Sequence, residues 1–300
     1  MKKLLFGLLA VFLIGIIGTA VSINVTGGSL YNMVFKTVDV HDQKIIKNEK
    51  INNIEIRFAS TDIQVTPSQD DNFIIELDGK VDERMKDEFI LVARELGNNL
   101  EVEFLNPPSE IGFFSMVDLS ISVNVPEKMY ESIEVHSASG NIEVEELSAN
   151  QIIVSAASGN IQTEESKADH FTISAASGNI KTKELKADQI AIKSASGNVT
   201  VQNQSVTTSS LTTISGNISL SNKDASSNIT ANTTSGNVDI NYAKPPSSLY
   251  INYESRSGKG TVNLDGVSYK EKSNDLIIGT IGEGNYNLYV DTTSGNFTLQ

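Results

Sequence analysis

The sequence predicts an all-β protein: a single-stranded, right-handed parallel β-helix with a partly antiparallel N-terminal cap, preceded by one transmembrane helix. Apolar and polar residues alternate from Ile51 onward, which is the pattern of half-buried strands. The triplet Ser-Gly-Asn begins at Ser139 and recurs every 19 residues through Ser215. A fixed period of this size is typical of repeat architectures, in which each unit packs on its neighbours.

The first element is an uncharged apolar run, residues 4–21, that follows Lys2 and Lys3. Eighteen helical residues extend over roughly 27 Å, close to the thickness of the hydrocarbon core of a bilayer. The lysines place residues 1–3 in the cytoplasm and the C-terminal domain outside the cell membrane. A cleaved signal peptide is the alternative, but the run is longer than the roughly 7 to 15 apolar residues of such signals. We predict a single-pass anchor, followed by a spacer at residues 22–50.

Residues 51–132 are predicted to form an N-terminal β cap that includes a degenerate first coil. Strand patterns such as INNIEIRF, NLEVEF and DLSISVNV dominate this region. A helical turn around residues 82–90 is the one predicted interruption. The segment STDIQV, residues 60–65, matches the repeat with Thr-Asp in place of Gly-Asn.

Residues 133–300 are predicted to form the β-helix coils. When the repeats are aligned, apolar residues occupy the same columns on both sides of the triplet; one such column is Ile133, Ile152, Phe171 and Ile190. Each unit therefore contains two short strands joined by a corner. One unit cannot bury its apolar side chains alone, whereas stacked units form a continuous core.

The regular recurrence of Gly and Asn within the repeat is explained by this corner. Glycine at a turn can adopt positive φ, and we expect that conformation here. The Asn side chains can hydrogen-bond from coil to coil in a ladder. The predicted corner residues are Gly140, Asn141, Gly159, Asn160, Gly178, Asn179, Gly197, Asn198, Gly216, Asn217, Gly236 and Asn237.

The end of the chain is predicted to be the end of the stack. Residues 275–290 would carry the array to its last coil, and the final GNFTLQ has no following sequence to cover it. Because an open β edge favours pairing with another chain, a self-assembling surface element is one alternative function.

Composition excludes several functional classes. The absence of cysteine removes disulfides and thiolate metal sites, and a net charge of -14 disfavours nucleic acid as a partner. The three histidines, His41, His136 and His170, are far apart in the sequence and are predicted to be surface residues. We therefore expect no cofactor and no metal site.

The aligned repeats contain one candidate catalytic feature, the column formed by Asp169 and Asp188. Lys167 and Lys186 stand two positions before them. Adjacent coils would place the two carboxylates roughly 4.8 Å apart, near the spacing in a retaining glycosidase. A polysaccharide-acting enzyme and a calcium site are therefore alternatives to a solvated corner.

The lead-in VNVPEKMYESIEVHSASGNIEVEEL and the coils that follow it resemble the bacterial "putative adhesin" domain of unknown function over roughly residues 50–300. With an N-terminal anchor in front, the chain is similar to the LiaG-type proteins of the envelope-stress response. The resemblance implies a β-helix outside the membrane without established catalytic activity. We predict a non-catalytic binding or scaffolding protein of the bacterial cell envelope, whose partner is a wall glycan or another envelope protein.

Overall fold

The polypeptide winds back and forth between two long β-sheets that enclose a single hydrophobic core. The computed structural model describes residues 36–105 and 116–300. The N-terminal strands are β1 (Thr37–Ile46), β2 (Asn53–Phe58), β3 (Asp62–Pro67), β4 (Phe73–Asp82), β5 (Ile90–Leu96), β6 (Asn99–Leu105) and β7 (Val117–Val125). One turn of 3-10 helix, Glu83–Met85, follows β4.

The repeats supply the next twelve strands, two per coil. These are β8 (Tyr130–Ser137), β9 (Ile142–Glu145), β10 (Ser148–Ser158), β11 (Ile161–Glu164), β12 (Lys167–Ser177), β13 (Ile180–Lys183), β14 (Lys186–Ser196), β15 (Val199–Gln202), β16 (Ser205–Ser215), β17 (Ile218–Asn222), β18 (Asn228–Ser235) and β19 (Val238–Tyr242). The last strands are β20 (Leu249–Ser257), β21 (Gly260–Val262), β22 (Ser268–Lys272), β23 (Leu276–Ile281), β24 (Asn287–Ser294) and β25 (Phe297–Leu299).

The two sheets differ in which strand of each coil they receive. Sheet 1 has the order β22-β23-β20-β24-β18-β16-β14-β12-β10-β8-β2-β6-β5. Sheet 2 has the order β1-β4-β7-β3-β9-β11-β13-β15-β17-β19-β25-β21. The coils pair in parallel, so the protein is a solenoid, as the repeat predicted; its right-handed sense stays a prediction.

Register in the solenoid places like residues on top of one another. Ile152 pairs with Phe171, and Phe171 pairs with Ile190, at steps of 19 residues along the chain. These inward side chains are almost fully buried. Because side chains of a strand alternate between its faces, the residues between them point outward and form equally regular columns on the surface.

Glycine is needed at the repeat corner because of close backbone contact, and the prediction of positive φ was wrong. None of the repeat glycines has positive φ. A Cβ on Gly178 would lie 1.9 Å from the carbonyl oxygen of Gly159 in the preceding coil, and one on Gly159 would lie 2.0 Å from that of Gly140. The coils therefore approach each other closely at this corner, where a Cβ would clash with the carbonyl oxygen of the preceding coil.

Positive φ occurs instead at the second corner of the coil, and in residues other than glycine. Glu146, Glu165, Glu184 and Asn203 have φ values of 55°, 49°, 55° and 52°. The backbone N–H of each donates to the next coil, for example from Glu165 to the carbonyl oxygen of Lys183 at 2.9 Å. Pairing between coils thus holds a backbone conformation that L-residues otherwise disfavour.

The last strands of the chain lie inside the stack, so the predicted open C-terminal edge was wrong. β24 lies between β18 and β20, and β25 lies between β19 and β21. The chain first builds the outer coil β20–β21, extends sheet 1 with the antiparallel hairpin β22–β23, and then returns to fill the gap. The intercalated coil is possible because its apolar columns match those of both neighbours.

The N-terminal region has the same intercalated arrangement. β2 lies between β6 and β8, and β3 lies between β7 and β9. Antiparallel strands cover this end: β5 pairs with β6, β4 with β7, and β1 with β4. β1 lies within residues 22–50, the segment that was predicted to be a spacer. Its own apolar pattern is weak, and pairing with β4 stabilises it as a strand.

In the part of the chain that the structure covers, no helix is long and apolar enough to cross a membrane. The predicted anchor, residues 4–21, lies outside the described residues.

Candidate functional site

An open groove of about 950 Å³ runs across the coils on the outer side of sheet 1. We call it the alanine groove, because one exposed or half-buried alanine from each of several successive coils lines it. These residues are Ala59, Ala138, Ala157, Ala176 and Ala195, with Ile214 in the next coil. The groove is therefore long and shallow, and its lining repeats with the spacing of the strands.

The register of sheet 1 generates this lining. In β10, Ala156 points into the core and is 5% exposed, while Ala157 stands at the surface beside the corner. The next coils repeat the pair as Ala175 and Ala176. A methyl group is the smallest side chain that still offers an apolar surface, so the column leaves a trough between its longer neighbours.

A polar column forms one wall of the alanine groove. Arg57, His136, Ser155, Ser174, Lys193 and Thr212 are paired in register across neighbouring strands and all line the groove. In a chain of net charge -14, this wall brings together two cations, a histidine and three hydroxyls. The groove can thus offer hydrogen-bond donors beside an apolar floor.

Aromatic side chains close one end of the groove. The rings of Phe58 and Phe104 meet edge to face with their centroids 4.7 Å apart. Glu103, beside them, forms an ion pair with Arg94 of β5. The other end is marked by Ile214, a large apolar side chain that is 56% exposed.

The corner asparagines, which stand between the sheet 1 strand and the sheet 2 strand of each coil, form a hydrogen-bonded ladder. The side-chain oxygen of Asn141 accepts the backbone N–H of Asn160 at 3.1 Å, and that of Asn160 accepts the N–H of Asn179 at 3.0 Å. The same bond continues coil by coil through Asn198, Asn217, Asn237 and Asn296. Their side-chain oxygens are engaged in holding the coils together.

The ladder begins and ends at residues that are not asparagine. Asp62 accepts the backbone N–H of Asn141 at 2.7 Å, and Lys259 donates its backbone N–H to Asn296 at 3.0 Å. Thr61 and Asp62 thus occupy the Gly-Asn positions of the degenerate coil. A second groove of about 650 Å³ runs along this part of the ladder.

Asp169 and Asp188 lie exposed on neighbouring coils, with Lys167 and Lys186 paired in register nearby. Neither aspartate lines the alanine groove or the groove along the ladder. The structure therefore leaves the column exposed to solvent near the starts of β12 and β14, outside both grooves.

Carboxylates of the neighbouring strands β9 and β11 influence one another. The pKa of Glu145 is raised by partial burial and by the negative charges of Glu143 and Glu164. Glu164 in turn contacts Lys183 at 3.3 Å and Lys181 at 3.6 Å. The cationic side chains of the following coil offset the acidic ones of the coil before it.

Sequence reasoning missed the groove and one side-chain cluster. The alanine column was visible in the recurring SASGN and AASGN, but the outward direction of the second alanine follows only from the strand register. The histidines were predicted to be surface residues without a shared site, and the structure places His136 beside Glu134 and Ser155. Aligning NIEIRF with SIEVHS would also have placed Glu55 next to Glu134.

The parallel two-sheet solenoid agrees with the family comparison. Residues 51–300 match the model of the Toastrack DUF4097 family. The chain belongs to this family. The resemblance to the "putative adhesin" domain of unknown function is thereby confirmed.

Solved structures with the same fold are distant in sequence. A "putative lipid binding protein" from Parabacteroides distasonis is 16% identical, with a TM-score of 0.50, covering 87% of this chain and 97% of that one. A "putative adhesin" from Bacteroides fragilis is 12% identical, with the same TM-score and coverage. At this identity the likeness concerns the fold alone. No curated protein matches the sequence.

Proposed function

We propose that this Toastrack protein is anchored in the cell membrane by residues 4–21 and binds an extended envelope glycan, without catalysis, in its alanine groove. The observation that carries the proposal is the groove itself, which crosses several coils and has an apolar floor and a polar wall. A chain-like ligand lying across the coils would meet the same pair of surfaces at every strand.

The chemistry of the lining favours a carbohydrate. The methyl floor can contact the apolar C–H faces of sugar rings, and the hydroxyls of Ser155, Ser174 and Thr212 can exchange hydrogen bonds with sugar hydroxyls. Lys193 adds a cation that can pair with an acidic group of the ligand. Shape and hydrogen bonding of this kind give specificity to sites that are mostly preformed.

A role at the cell envelope is supported by the sequence ahead of the solenoid. Lys2 and Lys3 before an apolar run of bilayer length favour an orientation with the solenoid outside. The similarity to LiaG-type proteins is the reason to look for the phenotype in envelope stress. The enzyme alternative, which uses Asp169 and Asp188, is disfavoured because both lie outside the groove.

Co-sedimentation tests the proposal. The full chain in detergent is mixed with purified cell-wall sacculi and, separately, with lipid vesicles. We expect saturable binding to sacculi, loss of binding for Ala157→Arg, and unchanged binding for Thr200→Arg, a matched substitution on the outer face of sheet 2. Binding to vesicles alone, or equal binding by both variants, would overturn the assignment of the ligand or of the groove.

A further inference from the structure

We propose that Glu55, Glu134 and His136 form a binding site for a first-row divalent transition metal, with Zn²⁺ as the reference ion. One ligand atom from each of the three side chains lies within 4.8 Å of the other two. The site is on the outer face of sheet 1, where His136 also lines the alanine groove. It stands independently of the glycan-binding proposal, since it needs no second ligand.

Rigid, neighbouring strands hold the three residues. Glu55 of β2 pairs in register with Glu134 of β8, and His136 follows two residues later on the same face of β8. Both strands are interior to sheet 1, between β6 and β10. Sites supported by paired strands are held more tightly than sites on loops, so small side-chain rotations suffice to bring the ligands together.

The imidazole of His136 is already oriented for a metal. Its Nδ1 lies 2.6 Å from Ser155 Oγ, and its Nε2 lies 3.4 Å from a carboxylate oxygen of Glu134. Tetrahedral zinc with ligand distances near 2.05 Å separates its ligand atoms by about 3.3 Å. A hydrogen bond from the other ring nitrogen, here to Ser155, is the usual device that fixes a ligating histidine.

The ligand types select the class of ion. Imidazole with carboxylates suits zinc and its first-row neighbours, whereas calcium takes oxygen ligands only and needs six or more of them. Three protein ligands leave a position for water. The side chains of Glu55, Glu134 and His136 are 25%, 34% and 32% exposed, so the site is half-buried and reachable from solvent.

Arg57 competes with the metal. Its guanidinium forms an ion pair with Glu55, and its side chain is 58% exposed. It is also in register with His136, so its positive charge opposes a cation at the site. Metal binding requires Arg57 to turn toward solvent, and removing its charge should strengthen the binding of Zn²⁺.

Titration calorimetry of the full chain in detergent with Zn²⁺, after treatment with a chelator, tests the site. We expect one saturable Zn²⁺ per chain and no comparable binding of Ca²⁺. In the ¹H–¹⁵N spectrum of the imidazole groups, the signals of His136 should shift on addition of Zn²⁺, while those of His41 and His170 should stay in place. Absence of saturable Zn²⁺ binding would overturn the proposal.

Variants assign the ligands. His136→Ala and Glu134→Gln should each weaken Zn²⁺ binding at least about tenfold, and Ser155→Ala by about tenfold or more, since lost outer partners typically cost 10- to 100-fold in affinity. Arg57→Ala should bind Zn²⁺ more tightly than the parent. His41→Ala is the matched control, because His41 pairs with Asp78 at 2.7 Å and lies outside the cluster.

Each variant is first checked for an unchanged circular dichroism spectrum and melting temperature without metal. If Zn²⁺ affinity is the same in His136→Ala as in the parent, or falls equally in His41→Ala, the assignment is refuted.

Discussion

Replacing Gly178 with alanine tests how the corner of the coil is built. A Cβ at this position would lie 1.9 Å from the carbonyl oxygen of Gly159 and 2.7 Å from its carbon. A relaxed carbon–oxygen contact is about 3.3 Å. The two neighbouring backbones must therefore separate by roughly 1.4 Å at a point where they are hydrogen-bonded.

The size of the effect follows from the bonds that this separation breaks. The N–H of Gly159 donates to the carbonyl oxygen of Ser177 at 3.2 Å. The backbone and side-chain nitrogens of Asn179 donate to Asn160 Oδ1 at 3.0 Å and 3.3 Å. At about 1 kcal/mol net for each bond, their loss costs about 3 kcal/mol. The lower entropy of the unfolded alanine variant returns about 0.4 to 1 kcal/mol, so the expected destabilisation is about 2 kcal/mol.

Guanidinium unfolding followed by circular dichroism measures this change, with Gly97→Ala as the control. Gly97 has φ of 69°, and a Cβ added there would have no atom within 4 Å. Alanine at this position therefore tests backbone conformation alone and should cost about 1 kcal/mol or less. If Gly178→Ala is no more destabilising than Gly97→Ala, close contact is not the reason for glycine at the corner.

Three further predictions address other parts of the solenoid. Glu184→Asn should stabilise the protein by up to about 1 kcal/mol in the same unfolding assay, because Glu184 has positive φ, which asparagine tolerates better. The next coil has Asn203 at the equivalent position. A loss of stability in the variant would contradict this reasoning. The pKa of Asp82 is lowered from 3.8 to about 2 by hydrogen bonds from Arg84, so its contribution is present above about pH 4 and is lost as the pH falls toward 2. The melting temperatures of the parent and Asp82→Asn should therefore differ most above pH 4 and converge below it, and a constant difference would argue against the ion pair. Deleting residues 295–300 removes β25 from between β19 and β21, together with the stacking of the Phe297 ring on the Tyr253 ring at 5.0 Å. The strands β20–β23 should therefore lose hydrogen-exchange protection, while β10–β15 keep theirs. Unchanged protection of β20–β23 would contradict the intercalated topology.

The repeat made the solenoid predictable, because its information is periodic. The apolar column containing Ile152 and Phe171 indicates which residues stack, and the recurrent Asn indicates where hydrogen bonds can form between coils. The sequence could not show why the repeat corner requires glycine, since a positive φ and a close approach of two backbones both favour this residue. Only the position of the Gly159 carbonyl oxygen distinguishes them.

The order of the coils at both ends could not be predicted for a different reason. In a regular stack any coil with matching columns can be a neighbour of any other, so local pattern does not specify order. Asn237 accepts the N–H of Asn296 across 59 residues, a distance along the chain that no repeat spacing indicates. The strand β1 was missed because its partner β4, rather than its own sequence, stabilises it.

The columns that form the candidate sites are visible in the aligned repeats, but the sequence does not indicate which of them forms a binding site. The alanines of the groove were evident only as part of the repeat, whereas Asp169 and Asp188 stood out because carboxylates carry chemistry. The exposure of these aspartates on β12 and β14 and the in-register pairing of Glu55 with Glu134 both depend on which strands are neighbours. That information comes from the fold.

Cross-linking from within the groove tests the central claim most directly. A photoreactive benzophenone residue is placed at Ala176, in the alanine groove, or at Thr200, on the outer face of sheet 2, and living cells are irradiated. We predict that position 176 captures cell-wall glycan and that position 200 does not. Equal capture from both positions, or capture from position 200 alone, would contradict the assignment of the alanine groove as the binding site.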